Sequence, residues 1–288
     1  MPIKQLKWSL LISLSLIWGS SFILIKKGLV GLSPYQLGAL RIIFTSLFLL
    51  IIGFKSLTDI KRYQWKYIAI TALFGTFIPA FLFAIAETKV SSSICSILNS
   101  LTPLNTLLIG IVTFGMAFKR SQFIGVVIGL LGTGILIFGG KEQGSTENYY
   151  FTILVIIASI CYGINVNLIK KYLSDVKPLS ITTGNFTIML IPALIILSCT
   201  NFYNIVSLPI TQHSMLFILI LGVVGTGIAN ILFFKLIQIS SPVFASSVTY
   251  LIPIVAFFWG LMDNETLTSF QFIGAFVILV GVYLANKK

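Results

Sequence analysis

The sequence predicts an all-α polytopic membrane protein: ten transmembrane helices arranged as two inverted-topology five-helix repeats. Three observations point there. Hydrophobic residues make up 57% of the 288 positions and charged residues only 9%, with a mean hydropathy of +1.03. A soluble domain carries about 25% charge, so this chain has too little polar surface to face water. The charges are also bunched, and residues 178–234 and 90–118 carry none. Finally, short patterns recur in order at a nearly constant offset.

A hydrocarbon core about 30 Å thick asks for about 20 apolar residues per helix. Cutting the chain at charges and turn residues gives spans near 8–25, 35–54, 67–86, 91–117, 121–139, 149–169, 178–199, 215–235, 240–261 and 267–285. The loops are short, leaving no stretch for a separate domain. The first span follows Lys4 and Lys7 but stays apolar through Ile25 with no A-x-A-like site, so it reads as a retained helix.

Ten spans put both termini on one side. If that side is the cytoplasm, 14 Lys/Arg fall inside (Lys61, Arg62, Lys170 and Lys171 among them) and 4 outside (Lys26, Lys27, Lys89 and Lys141), with Arg41 inside a span. The positive-inside rule therefore places both termini in the cytoplasm and reads the +12 net charge as topology rather than a nucleic-acid surface. Cys95, Cys161 and Cys199 sit in apolar segments, too scattered for metal ligation or a disulfide framework.

Internal symmetry comes next. Gly19, Leu24-Ile25-Lys26-Lys27 and Pro34 match Gly163, Leu168-Ile169-Lys170-Lys171 and Pro178 at an offset of 144. Gly75-Thr76, Leu101, Pro103 and Gly110 match Gly225-Thr226, Leu251, Pro253 and Gly260 at 150, and Gln122-Phe123-Ile124-Gly125 recurs as Gln271-Phe272-Ile273-Gly274. Each repeat holds an odd number of helices, so the second crosses in the opposite sense. Inverted repeats characterise secondary transporters, because they give one chain two near-equivalent states, open inward and open outward.

These residues resemble the EamA-type branch of the drug/metabolite transporter superfamily across essentially the whole chain, as two units at 8–139 and 149–285. The marks are Trp18-Gly19-Ser20-Ser21-Phe22, Leu40-Arg41, the mid-helix Leu-x-Pro of spans four and nine, and Glu265 before Gln271…Gly274. The resemblance implies ten helices, a cavity between the repeats, and transport of small metabolites or drugs, often outward. One departure is Met116, which stands where the second repeat has Glu265.

Proline removes the hydrogen bond to the carbonyl four residues earlier. Pro103 therefore frees the carbonyl of Asn99, Pro253 that of Thr249, and Pro79 that of Gly75. Polar breaks at membrane depth are tolerated where they face protein or a watery cavity, and paired ones point to a transporter's binding site. The expected substrate-binding set is Asn99, Pro103, Thr249, Tyr250 and Pro253, joined by Thr76, Pro79, Thr226 and Asn230 of spans three and eight. Trp18 and Ser21 of span one and Tyr162 and Asn165 of span six complete it, with Asn105 and Asn167 as nearby polarity. Gly125, Gly129, Gly132 and Gly134 read as close-packing positions.

Arg41 is the one charge more than a turn inside a span, which makes it either a gate or anion contact, or a side chain snorkelling to the outer surface. Glu87, near the outer mouth of span three, is the candidate coupling residue. His213 is expected in an external loop. No span centre carries Asp or Glu, and no nucleotide-binding loop, metal constellation or nucleophile motif is present. The expectation is a non-enzymatic inner-membrane transporter, without cofactor and active as a monomer. It would move a small neutral or zwitterionic organic solute, amino acid-like or drug-like, by alternating access, through export or facilitated diffusion. The rival readings are a proton-coupled antiporter using Glu87 and a non-transporting receptor or structural protein.

Overall fold

The computed structural model describes residues 2–115, 119–139, 149–262 and 269–286, and among these there is no strand. Eight helices are long and apolar enough to cross a membrane. They are α1 (Ile3–Gly28), α2 (Pro34–Gly53), α3 (Arg62–Ala86), α4 (Ser92–Phe114), α6 (Thr152–Tyr172), α7 (Pro178–Ser198), α8 (Pro209–Ile239) and α9 (Pro242–Met262). Two further apolar helices are α5 (Arg120–Gly139) and α10 (Ser269–Asn286). Met116, Lys141, Asp263 and Glu265 lie outside the described residues. This is a multi-pass, all-helical membrane protein.

Local chemistry sets the helix starts. Ser33 closes a capping box with Gln36, and Pro34 sits at the first helical position, where its missing N–H costs nothing. Ser91 and Ser241 accept from the backbone N–H groups of Ile94 and Phe244, capping α4 and α9. Pro209 opens α8 six residues earlier than hydropathy suggested, because polar residues such as Gln212 and Ser214 hid the first turns. His213 consequently lies exposed on those first turns and meets Phe217 edge-on, not in a loop.

The helices pair reciprocally: α1 packs on α9 and α6 on α4, α8 on α1 and α3 on α6, α2 on α7, and α5 on α10. Glycine sets two of the closest approaches. A Cβ on Gly19 would lie 2.4 Å from the Val255 side chain, and one on Gly163 would lie 3.0 Å from the backbone at Asn105. A Cβ on Gly281 would lie 2.5 Å from the Gly129 nitrogen and 2.7 Å from the Gly125 oxygen, so α5 and α10 touch backbone to backbone. Of the four expected packing glycines, Gly134 has open space around it. Large apolar side chains such as Ile51, Val112 and Phe276 face outward, as lipid contact permits.

α3 and α8 are both interrupted. α3 is α-helical over Trp65–Ala72, π-helical over Leu73–Phe77 and α-helical again from Ile78. α8 is π-helical over Leu221–Ile228. π-turns insert a residue and shift the register of freed carbonyls, often at functional sites. The two contain Gly75-Thr76 and Gly225-Thr226, the pair related by the 150-residue offset.

Candidate functional site

Between the helices lies a cavity of about 910 Å³ of empty space, mouth included, lined by α1, α2, α3, α4, α6, α8 and α9. Of the expected residues, Trp18, Ser21, Thr76, Asn99, Tyr162, Asn165, Thr226, Asn230, Thr249 and Arg41 line it. Pro79, Pro103, Tyr250, Pro253 and Glu87 do not.

The prolines act on the backbone instead. α4 breaks at Ser100–Leu101 ahead of Pro103, and the freed Asn99 carbonyl accepts from the Thr102 hydroxyl at 2.7 Å. The freed Thr249 carbonyl accepts from the Ser100 hydroxyl at 3.0 Å, tying α9 to α4. α9 itself breaks at Ser247, upstream of Pro253. Both mid-membrane carbonyls are therefore filled by hydroxyls, and the polarity left for a ligand belongs to side chains. Tyr250 is fully buried and turned away, its ring 3.0 Å from where a Gly129 Cβ would stand; it is a packing residue between α9 and α5. Asn105 donates to Ser159 and Asn167 to the Thr106 and Gly163 carbonyls, so both join α4 to α6 rather than face the cavity.

The π-helical segments shape the two long walls. The Trp18 indole donates to the Gly225 carbonyl at 3.0 Å. The Thr226 hydroxyl donates to the Leu221 carbonyl at 2.9 Å and accepts from Arg41 Nε at 2.8 Å. On the opposite wall the Asn165 amide packs against Gly75, where a Cβ would come within 2.5 Å. Thr76 Oγ1 and Asn165 Oδ1 are buried there with no protein partner. Thr76, Asn99, Asn165, Thr226 and Thr249 are each no more than 6% exposed, so this polarity is held inside the protein.

Aromatic rings close the sides. Trp18 meets Phe233 at 4.9 Å, Phe22 meets Phe83 at 5.8 Å, and Phe83 meets Tyr162 at 6.2 Å between centroids. Sequence reasoning missed Phe22, Phe83, Phe233 and Ser246, all of which line the cavity. The signal for two of them was available, because Phe83 and Phe233 stand 150 residues apart like Thr76 and Thr226. Glu87 stands at the C-terminal end of α3, its carboxylate accepting from Ser92 at 2.8 Å.

A chamber with a mouth, apolar over most of its wall and set with a few buried polar side chains, suits a solute in transit. The pattern of the EamA-like transporter family matches residues 6–138 and again 150–287. The chain belongs to this family. It is 25% identical to an uncharacterized transporter of Archaeoglobus fulgidus, over 98% of this chain and 99% of that one. It is 27% identical to the uncharacterized inner membrane transporter YedA of Escherichia coli, over 96% and 89%. A second Escherichia coli protein, named "Probable amino-acid metabolite efflux pump", is 24% identical over 93% and 90%. A crystal structure of a protein at 16% identity superposes with a TM-score of 0.70, covering 96% of this chain and 95% of that one, which shows a shared fold. Family membership makes the protein a membrane transporter and not an enzyme.

Proposed function

We propose that the protein is a secondary transporter that moves a small neutral or zwitterionic organic solute across the inner membrane by alternating access of the central cavity. The observation that carries this reading is that equivalent positions of the two family units furnish the same chamber. Trp18 and Tyr162, Ser21 and Asn165, Thr76 and Thr226, and Phe83 and Phe233 are offset partners, and all eight line it. The packing is reciprocal too: Gly19 meets Val255 and Gly163 meets Asn105, and Asn105 and Val255 are themselves 150 residues apart. An inverted repeat of five helices predicts such cross-pairing, because a two-fold axis in the membrane plane exchanges α1–α9 with α6–α4.

Alternating access also needs contacts that hold one end shut and can break. Lys170 Nζ donates to the carbonyls of Ile237, Gln238 and Ser240 at 3.2, 3.0 and 2.7 Å, and Gln238 donates to Val176 at 2.6 Å. With both termini in the cytoplasm, this cluster is the inner closure. Among the described residues that line the cavity there is no Asp, Glu or His, which supports movement down the solute's own gradient without proton coupling.

A thermal-shift screen of the purified protein against amino acids, nucleosides and cationic drugs, followed by proteoliposome uptake of each stabilising compound, tests the reading. Uptake without a pH gradient is expected, with counterflow from preloaded vesicles. Binding without uptake or counterflow would leave a receptor. Accumulation driven by a proton gradient and abolished by Glu87→Gln would make it an antiporter. Alkaline phosphatase fused after Lys288 should be inactive and a reporter near Gly144 active; the reverse pattern would invert the orientation.

A further inference from the structure

Arg41 is the one charged side chain among the described residues that line the cavity. It comes from α2, whose other residues read as an ordinary apolar span, and an arginine at bilayer depth costs at least about 2.5–3.5 kcal/mol to insert. Snorkelling would relieve that cost, but the guanidinium is instead drawn inward. Its Nε donates to Thr226 Oγ1 at 2.8 Å, on the π-helical segment of α8. That hydroxyl spends its own proton on the Leu221 carbonyl, so it can only accept from Arg41. α8 is held close to this part of α2, with the Thr45 hydroxyl 2.7 Å from both the Arg41 and Gly222 carbonyls.

The head group is thus fixed by one of its five N–H donors. Among the described residues it makes no ion pair and no second hydrogen bond. The two terminal amino groups of this cavity-lining residue are therefore left without a protein acceptor among those residues. The symmetry-related position, 144 residues on, is Asn185, a neutral amide that hydrogen bonds with Thr71 at 3.0 Å. The charge is therefore not required by the architecture, which repeats without it. It is an addition on one side of the cavity.

We propose that Arg41 anchors a carboxylate of the transported solute, so that the cavity selects small monocarboxylates, zwitterionic amino acids included, over amines and neutral esters. This rests on the transport reading above and redraws its substrate class, keeping the zwitterions, adding monocarboxylate anions and dropping neutral solutes that lack a carboxylate. A carboxylate matches the planar guanidinium fork with two parallel charge-assisted bonds. A single positive charge balances one carboxylate but not a phosphate monoester, which carries about −1.5 to −2. The rest of the ligand would lie between Trp18 with Phe233 and Phe83 with Tyr162. The unpartnered oxygens of Thr76 and Asn165 offer acceptors for an ammonium or hydroxyl donor.

The probes are phenylacetate, L-phenylalanine, methyl phenylacetate and 2-phenylethylamine, measured by binding to purified protein in nanodiscs and by proteoliposome counterflow. At least one acid should bind at least about tenfold tighter than both the ester and the amine. Arg41→Gln should weaken the acid about thirtyfold or more, as loss of one partner of a buried charge pair does, and leave the ester unchanged. Arg41→Lys, which keeps the charge but not the fork, should fall between. The wild-type preference for acid over ester needs no variant, so the proposal stays testable if Arg41→Gln does not fold. Equal binding of acid and ester, preference for the amine, undiminished acid binding by folded Arg41→Gln, or no binding of either acid overturns it. Carriage of the amine or ester alone would overturn the anchor while the transport reading stands. Arg41-dependent acid binding without any counterflow would sustain the anchor and sink transport.

Discussion

Pro253 has no N–H to give the Thr249 carbonyl, and the Ser100 hydroxyl of α4 supplies the missing donor at 3.0 Å. Ser100 is 1% exposed, and its other acceptor, the Ser96 carbonyl, is at 3.5 Å, so the bond to α9 is the better one. Ser100→Ala should then strand a buried carbonyl in the membrane interior. Such groups cost about 1–3 kcal/mol in water-soluble proteins. Side-chain hydrogen bonds between membrane helices average about 0.6 and reach about 1.7 kcal/mol, so about 1 kcal/mol is expected here. Pro253→Ala restores an N–H one turn away that can serve the same carbonyl from within α9. In that background Ser100→Ala should cost almost nothing, giving a coupling of about 1 kcal/mol in a double-mutant cycle. Reversible unfolding by SDS titration in mixed micelles reads all four proteins. If Ser100→Ala costs the same with and without Pro253, the hydroxyl is not serving the carbonyl that proline frees, and the account of the break is wrong.

Three further outcomes follow from the packing and the cavity wall. Gly281→Ala should lower stability by about 1–3 kcal/mol, because its Cβ meets backbone atoms of α5 at 2.5 and 2.7 Å; unchanged SDS unfolding would mean the two helices are not in this contact. Tyr250→Ala should cost about 3–5 kcal/mol, yet leave the affinity of any ligand found by thermal shift within about twofold, since the ring faces Gly129 and not the cavity. Trp18→Phe keeps the ring beside Phe233 but leaves the Gly225 carbonyl without its indole donor. Uptake should fall while the folded yield on size exclusion is kept, and unaltered uptake would remove that bond from the working site.

The sequence by itself determined the solvent, the helices and most of the wall. Uncharged stretches longer than a bilayer is thick restrict the backbone to helices or a closed barrel, so hydropathy located the apolar spans, though not the first turns of α8. The offset of 150 then picked out Thr76 and Thr226, and the polarity and aromaticity of spans one and six picked out Trp18, Ser21, Tyr162 and Asn165, before any geometry was known. Where a helix turns its faces was another matter. Hydropathy in a membrane is nearly uniform around a helix, so it carries little of the periodicity that marks a buried face in water. Tyr250 and Thr249 are neighbours in sequence, yet one packs against Gly129 and the other lines the cavity. The carbonyls freed by Pro103 and Pro253 looked available, and only the packed helices brought the Thr102 and Ser100 hydroxyls to them. The same holds for Arg41. Its sequence position allowed snorkelling and gating equally, and the choice was made by a π-turn in α8, 185 residues away, that offers Thr226 to the guanidinium.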